Sequence, residues 1–195
     1  MQICVYGASS NEIDPAYLKA GEQLGKAMAV RGHGLVFGGG QKGLMGAVAR
    51  GMTAGGGFIV GVAPSFFDVE GVLYQQCTEF VFTETMRERK AIMEERADAF
   101  IMTPGGIGTF EEFFEILTLR QLGRHRKPIA VLNTNDYYGP LRQMLEQAIG
   151  QGFMRPECRG LCAFFAEPEV LLDYLETDTG AAIDPSKLRD VLPKA

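Results

Sequence analysis

The chain has 195 residues, of which 46% are hydrophobic and 22% charged, as is usual for one globular domain and unlike a disordered, coiled-coil or collagen-like chain. Its 19 Lys and Arg against 24 Asp and Glu give a formal charge of −5, which argues against a broad nucleic-acid interface. No apolar run reaches the roughly 18 residues that a membrane span needs, and the N-terminal residues have the pattern of a first strand, not of a signal peptide.

Short apolar segments alternate with segments of helical periodicity along the chain. The predicted strands are Gln2–Tyr6, Leu35–Phe37, Phe58–Val62, Phe80–Phe82, Ala99–Met102 and Ile129–Leu132. The predicted helices are Pro15–Arg31, Gly43–Ala54, Thr85–Arg96, Gly108–Gln121, Leu141–Gly150 and Glu169–Glu176. This alternation is typical of βαβ units, so we predict an α/β fold with a mostly parallel sheet and helices on both faces. The single domain is expected to span residues 1–178, followed by a loosely attached tail, residues 179–195.

The cysteines and histidines give no metal-site pattern. Four cysteines form no C-x-x-C pair, and the chain has only two histidines. We therefore expect neither a metal site nor a cofactor, and no disulfide framework. The cytoplasm is the predicted compartment, and neither a membrane nor a nucleic acid is expected as a partner.

Glycine is the outlier in the composition, with 25 residues in 195. The excess is concentrated in turns that directly follow predicted strands: Gly7–Ser10, Gly38–Gly43 and Pro104–Thr109. In a parallel sheet, ligands bind in the crevice beyond the carboxyl ends of the strands. We therefore expect these turns to border a small-ligand site.

The second glycine turn fits G-x-G-x-x-G only formally. It follows the second strand and not the first, and no strand-end acid stands about 20 residues later, so an NAD(P) oxidoreductase is a weak third interpretation. Gly25-Lys26 is followed by Ala27, which excludes the G-x-x-x-x-G-K-[ST] motif of ATP-hydrolysing proteins. The alternative for Gly38–Gly43 is a tight turn between a strand and a helix, without a ligand.

The third turn has the composition of an anion cradle. Gly105, Gly106 and Gly108 expose backbone N–H groups at the start of a predicted helix, whose dipole favours a phosphate or carboxylate. Thr109 and Glu112 also fit the Thr-x-x-Glu capping box. The alternative role of Glu112 is therefore to cap its own helix.

Arg89 interrupts an apolar stripe on a helix that begins with another capping-box pattern, Thr85 and Glu88. Arg89 lies three residues after Met86 and four before Met93. An arginine that faces inward needs an anionic partner. The alternative is a surface arginine whose stem covers apolar neighbours.

Together these segments resemble the LOG (lonely guy) family of cytokinin riboside 5′-monophosphate phosphoribohydrolases, which is close to AMP nucleosidase in activity. The resemblance rests on Gly38-Gly39-Gly40-x-x-Gly43-Leu44-Met45-Gly46, Met86-x-x-Arg89-Lys90 and Pro104-Gly105-Gly106-x-Gly108-Thr109-x-x-Glu112. It runs from Gln2 to about Tyr174. It implies a Rossmann-like fold, a homodimer or larger homo-oligomer, and a nucleotide substrate, AMP or N6-prenylated AMP. The family once carried the label lysine decarboxylase, but no pyridoxal-phosphate lysine is identifiable here.

The resemblance also implies the site residues. Arg89 and Glu112 would be the catalytic pair. The substrate-binding residues would be Ser9, Gly39, Gly40, Met45, Lys90, Gly105, Gly106, Ile107, Gly108, Thr109, Glu111 and Thr118. Two positions depart from the family, which usually has His where Arg87 stands and Tyr where Ile107 stands, so the preferred base is left open.

The chemistry of the pair suits cleavage of a nucleotide N-glycosidic bond. A carboxylate near the anomeric carbon stabilises or attacks the oxocarbenium-like sugar, and Arg89 is expected to lower the pKa of Glu112. The alternative function is a non-catalytic nucleotide or molybdenum-cofactor carrier, which would not need this pair. Five phenylalanines are predicted as core or interface residues, with a hydrophobic side-chain pocket as the alternative: Phe66, Phe67, Phe110, Phe113 and Phe114.

Overall fold

The computed structural model describes residues 1–178 and contains one sheet of seven strands. The strands are β1 (Gln2–Tyr6), β2 (Gly34–Phe37), β3 (Ile59–Pro64), β4 (Glu79–Thr83), β5 (Ala99–Met102), β6 (Ile129–Leu132) and β7 (Ala163–Phe165). The helices are α1 (Pro15–Val30), α2 (Gly43–Ala54), α3 (Met86–Arg96), α4 (Ile107–Gln121), α5 (Gly139–Gly150) and α6 (Pro168–Thr177). Short 3₁₀ helices occupy Ser65–Phe67, Thr134–Asp136 and Pro156–Leu161.

The predicted fold class is confirmed. All seven strands are parallel, in the order β4-β3-β2-β1-β5-β6-β7. The sequence reasoning missed β7 and the 3₁₀ helices, because segments this short show too little periodicity. The predicted tail lies outside the described residues, so the domain boundary at 178 stays a prediction. Within residues 1–178 no helix is both long and apolar enough to cross a membrane.

Two hydrophobic cores lie on opposite faces of the sheet. Alternate residues along a strand pack into opposite cores. In β1, Ile3 and Val5 belong to the core under α1, α2 and α6, whereas Cys4 and Tyr6 belong to the core under α3, α4 and α5. Because both faces are covered, the strands are apolar throughout. This arrangement gives the three layers that the sequence predicts.

Helices α1 and α2 pack backbone to backbone, and glycines make the close approach possible. A Cβ on Gly25 would lie 2.1 Å from the carbonyl oxygen of Val48, and one on Gly51 would lie 2.2 Å from that of Glu22. Real Cβ atoms do not approach backbone atoms this closely. The glycines of the two helices therefore set the distance between them.

The strand order places a crevice between two halves of the sheet. The chain runs from β1 outward to β4, returns through α3, and continues from β5 on the other side of β1. The connections after β1 and β5 therefore lead away from each other, which opens a ligand crevice at the carboxyl ends of these strands.

Candidate active site

An open cavity of about 560 Å³ lies at this crevice. All three predicted glycine turns contribute to it. Its lining comprises Gly7, Ala8, Ser9, Gly38, Gly40, Lys42, Met45, Phe67, Gly71, Val72, Leu73, Met86, Arg89, Gly106, Ile107, Gly108, Thr109 and Glu112. The cavity thus brings together nine of the residues that the sequence predicts for the site.

Arg89 and Glu112 meet in the wall of this cavity. Nη1 of Arg89 lies 2.6 Å from Oε1 of Glu112, and both side chains are largely buried, with 7% and 12% exposed. Nε of Arg89 also donates to the carbonyl oxygen of Val62, at 3.1 Å. The expectation that Arg89 faces inward onto an anionic partner is confirmed, and two hydrogen bonds fix the orientation of the guanidinium.

The net direction of the Glu112 pKa differs from the expectation. Burial raises the pKa of the Glu112 carboxyl above its ordinary value, and the charge of Arg89 only partly opposes this effect. Removing a carboxylate from water penalises its charged form, whereas a neighbouring cation favours it. The prediction that Arg89 lowers this pKa therefore had the correct sign for the arginine but missed the larger contribution of burial.

Glu112 does not cap its helix. The N-cap of α4 is Gly106, Thr109 stands inside the first turn, and no side chain caps this helix end. The capping-box alternative for Thr109 and Glu112 is therefore wrong, whereas the box of Thr85 and Glu88 is present on α3. The first N–H groups of α4 have no intrahelical acceptor, and they lie at the positive end of the helix dipole. They are therefore available to an anion.

Two glycines leave room for functional side chains. A Cβ on Gly38 would lie 1.8 Å from Nη2 of Arg89, and a Cβ on Gly105 would lie 2.1 Å from Oγ1 of Thr109. Gly39, at φ 74°, lies below the cavity, where a Cβ would meet the Phe80 ring at 2.7 Å. Gly39 and Gly105 therefore shape the cavity without lining it.

Besides Gly39 and Gly105, three predicted binding residues are absent from the cavity lining. The Lys90 ammonium forms ion pairs with Glu111 and, at 2.7 Å, with Glu115. Glu111 and Thr118 are exposed on α4, away from the cavity lining. Lys90, Glu111 and Glu115 thus form a separate cluster of ion pairs. The role of Lys90, Glu111 and Thr118 in nucleotide binding stays a prediction.

Several lining residues were missed from the sequence. Lys42 stands immediately before α2, and Phe67 and residues 71–73 come from the connection between β3 and β4. Of these residues, Lys42 could have been predicted, because it lies inside the glycine motif from Gly38 to Gly46. For Phe67, a place in a hydrophobic side-chain pocket was the alternative interpretation of the sequence. Residues 71–73 are set by the path of a long connection, which no local pattern predicts.

Of the two positions that depart from the LOG pattern, one lines the cavity. Ile107 lines the cavity and is 81% exposed, and Arg87 is exposed in the first turn of α3. Of the five phenylalanines, Phe113 is a core residue and Phe67 lines the cavity. Phe110 and Phe114 pack against the core, whereas Phe66 is exposed.

Comparison with known proteins supports one family. The model of the family described as "Possible lysine decarboxylase" matches residues 45–175. A cytokinin riboside 5′-monophosphate phosphoribohydrolase of Rhodococcoides fascians is 44% identical over 144 residues, which is 73% of each chain. One of Arabidopsis thaliana is 38% identical over 175 residues, covering 90% of this chain and 81% of the relative.

A solved structure shares the fold. The molybdenum cofactor binding protein of Rippkaea orientalis superposes with a TM-score of 0.69 and 22% identity, over 90% of this chain and 95% of that protein. At this identity the likeness extends to the architecture of the sheet and its helices.

Proposed function

This chain belongs to the LOG family, and on that premise we propose that it hydrolyses the N-glycosidic bond of adenosine 5′-monophosphates, with or without an N6 substituent. The products are the free base and ribose 5-phosphate. The observation that carries the proposal is the buried pair of Arg89 and Glu112 in the wall of a cavity that also contains an uncapped helix N-terminus.

The 5′-phosphate binds at the N-terminus of α4. The glycines Gly106 and Gly108 have no atom within 4 Å of the place where a Cβ would stand, so the backbone is open to close approach. The helix dipole and the free N–H groups attract the dianion. Because the phosphate is remote from the bond that breaks, its binding energy positions the ribose against Glu112.

Glu112 supplies the charge that the reaction needs. Cleavage leaves positive charge on the anomeric carbon and the ring oxygen, and a carboxylate in a site of low polarity stabilises it far better than water does. Water adds to the anomeric carbon and loses a proton, and the leaving nitrogen of the base gains one. Arg89 holds the Glu112 carboxylate in place and favours its ionised form.

The apolar part of the cavity supports an N6-substituted base as substrate. The cavity is also lined by the apolar side chains of Phe67, Val72 and Met86. Its volume, about 560 Å³, lies in the usual range of small-ligand sites, roughly 300–1,000 Å³. An apolar N6 group therefore has room and apolar neighbours.

Chromatography of reaction mixtures tests the proposal. AMP, N6-isopentenyladenosine 5′-monophosphate and adenosine are each incubated with the protein. Free base and ribose 5-phosphate are expected from both nucleotides, and adenosine is expected to react roughly a hundredfold less efficiently because it lacks the phosphate. Release of inorganic phosphate with intact nucleoside would overturn the proposal. Equal turnover of adenosine and AMP would show that the cavity has no phosphate site.

We also propose that the chain acts as a homodimer or larger homo-oligomer in the cytoplasm. Large apolar side chains are exposed on the short helix after β3 and on the edge strand β4, among them Phe66 at 60% and Phe82 at 48%, and a second copy would cover them. All four cysteines are free thiols, which suits a reducing compartment. Light scattering coupled to size-exclusion chromatography tests the assembly, since a monomer at micromolar concentration would contradict it.

A further inference from the structure

We propose that Tyr137 is a positioning residue that orients a phosphate-binding amide of the loop before α4, an inference that rests on the proposed function. The Tyr137 hydroxyl donates a hydrogen bond of 2.7 Å to the carbonyl oxygen of Gly105. Tyr137 itself does not line the cavity, so any effect on the substrate passes through this loop.

The peptide geometry carries the effect from Tyr137 to the cavity. The described chain contains no cis peptide, and in a planar trans peptide the C=O and the following N–H point in opposite directions. When the Gly105 carbonyl turns toward Tyr137, the N–H of Gly106 turns away from it. Gly106 lines the cavity, and its N–H has no hydrogen-bond acceptor within residues 1–178.

The neighbouring carbonyls of the loop are also held by donors from outside the loop. The backbone N–H of Ala8 donates to the carbonyl oxygen of Pro104 at 3.1 Å, and the Tyr138 hydroxyl donates to that of Thr103 at 2.8 Å. Three successive carbonyls, from 103 to 105, are thus bonded to donors that do not belong to the loop. The loop therefore keeps its acceptors away from an incoming anion.

A strained turn after β6 brings Tyr137 to this place. Asn135 and Asp136 have φ values of 53° and 55°, a left-handed conformation that is uncommon outside glycine and that asparagine and aspartate adopt more readily than other residues. The Asn133 side chain holds the turn: its oxygen accepts from the N–H of Tyr138 at 2.7 Å, and its nitrogen donates to Asp136 at 2.9 Å. Strain of this kind persists only where surrounding contacts fix it.

Aromatic contacts restrict the Tyr137 ring from two sides. The Tyr17 ring, on α1, meets it edge to face with centroids 5.9 Å apart, and the Tyr138 ring does so at 4.8 Å. The ring therefore has little freedom to leave the Gly105 carbonyl, although 40% of the residue is exposed.

Tyr138 offers a matched control in the next position. Its hydroxyl bonds to the same loop, but the residue after Thr103 is Pro104, which has no N–H. The hydrogen bond of Tyr138 therefore orients no donor. Tyr138 is 2% exposed, so removing its hydroxyl leaves a buried carbonyl unpaired and lowers stability.

Calorimetric titration with ribose 5-phosphate and with ribose tests the inference in the wild type, Tyr137→Phe and Tyr138→Phe. We expect Tyr137→Phe to raise the Kd for ribose 5-phosphate roughly 3- to 10-fold, the effect of one misdirected hydrogen bond, and to leave ribose binding unchanged. Tyr138→Phe is expected to melt several degrees lower and to raise this Kd less than Tyr137→Phe does, because the residue after Thr103 is a proline without an N–H. Melting curves establish that the variants are folded.

Equal Kd values for ribose 5-phosphate in wild type and Tyr137→Phe would overturn the inference. So would a wild-type protein that binds ribose as tightly as ribose 5-phosphate, because no phosphate site would then exist. Base release from AMP is measured separately. A wild type that shows the expected binding pattern but releases no base would refute the proposed function and leave the role of Tyr137 standing.

Discussion

Glu112 and Arg89 form a short ion pair in a place where little water competes with it. We expect Glu112→Gln to reduce kcat/KM for AMP by roughly 100-fold or more, because the amide retains the size of the carboxylate but not its charge. The melting temperature is expected to stay close to that of the wild type, since the amide oxygen still accepts from Arg89. Steady-state base release and a melting curve measure the two effects.

Glu115→Gln is the matched control, because Glu115 lies on the same helix but is paired with Lys90 outside the cavity. The double variant with Arg89→Ala is expected to lose less than the product of the two single losses, since the residues act as a unit. Wild-type turnover in Glu112→Gln would contradict a catalytic role for this charge.

The pKa of Glu112 sets the acid side of the pH profile. Because burial raises this pKa, the ionised fraction falls already at a pH above the ordinary range of a glutamate. Turnover is therefore expected to decline as the pH falls through this raised pKa. Arg89→Gln removes the cation that favours ionisation, so the decline is expected to begin at a higher pH.

Profiles of kcat/KM for AMP against pH, at constant ionic strength, measure the acid limb of the wild type and that of Arg89→Gln. A profile of Arg89→Gln whose acid limb coincides with that of the wild type would show that Arg89 does not influence the titrating group. If the acid limb of the wild-type profile lay within the ordinary pKa range of a glutamate, burial would not raise the pKa of the titrating group.

At the residue scale the sequence predicts partners better than energies. The position of Arg89 within an apolar stripe left a surface arginine as the alternative, and the anion cradle on the next strand-helix unit favoured a buried anionic partner, since an unpaired buried charge is costly. The direction of the Glu112 pKa depends on how much water the whole fold removes, which no motif encodes. Lys90 and Glu111 fit the family motif, yet their nearest partners are each other.

Helix α4 allows the phosphate site to be separated from helix stability. Gly108 lies in the first turn of α4, and no atom stands within 4 Å of its missing Cβ. We expect Gly108→Ala to leave the melting temperature unchanged or to stabilise the helix by about 0.5–1 kcal/mol. The added methyl projects into the region that Gly108 lines, so kcat/KM for AMP is expected to fall roughly 10-fold or more.

Gly25→Ala provides the opposite result on α1. Its Cβ would overlap the Val48 carbonyl and force α1 away from α2, at a cost of about 1–3 kcal/mol or more. The variant is expected to melt lower while its folded fraction keeps the wild-type KM for AMP. If Gly108→Ala were the less stable variant and Gly25→Ala the less active one, the assignment of these glycines would be wrong.

At the element scale, the predictions succeeded where periodicity is long. Six helices and six strands were identified, with ends within a few residues, because each carries several apolar positions in register. Strand β7 has three residues and an intermediate burial pattern, which is too little to distinguish it from a loop. The turn that carries Tyr137 has φ values typical of glycine but contains none at those positions, so its shape could not be predicted.

The described residues contain every part of the proposed site. Both cores, the cavity and the ion pair use residues no later than 178. Helix α6 is held to the end of α1 by Arg31, which pairs with Glu169 at 2.5 Å and Asp173 at 2.7 Å. A chain that ends at Asp178 is therefore expected to fold and to retain the wild-type kcat/KM for AMP.

Base release and melting curves of the shortened and full chains measure this expectation. A shortened chain that folds but loses turnover would place residues 179–195 in the function of the site. One that fails to fold would move the domain boundary. The fold class was predictable at this scale from the alternation of elements, whereas the assembly of copies depends on surface shape, which a single sequence does not reveal.

The order of the strands also determines when the site can form during folding. Arg89 belongs to the half of the chain that builds β1 to β4, and Glu112 follows β5, the first strand of the other half. A partly folded chain in which only the first half is structured therefore has Arg89 in place without the carboxylate of Glu112. Closure of the ion pair thus coincides with the long-range docking of β5 beside β1, a contact between distant segments that costs more loop entropy than the pairing of β1 with β2. The topology therefore predicts that catalytic competence arises late in folding, after the local helices and strands have formed.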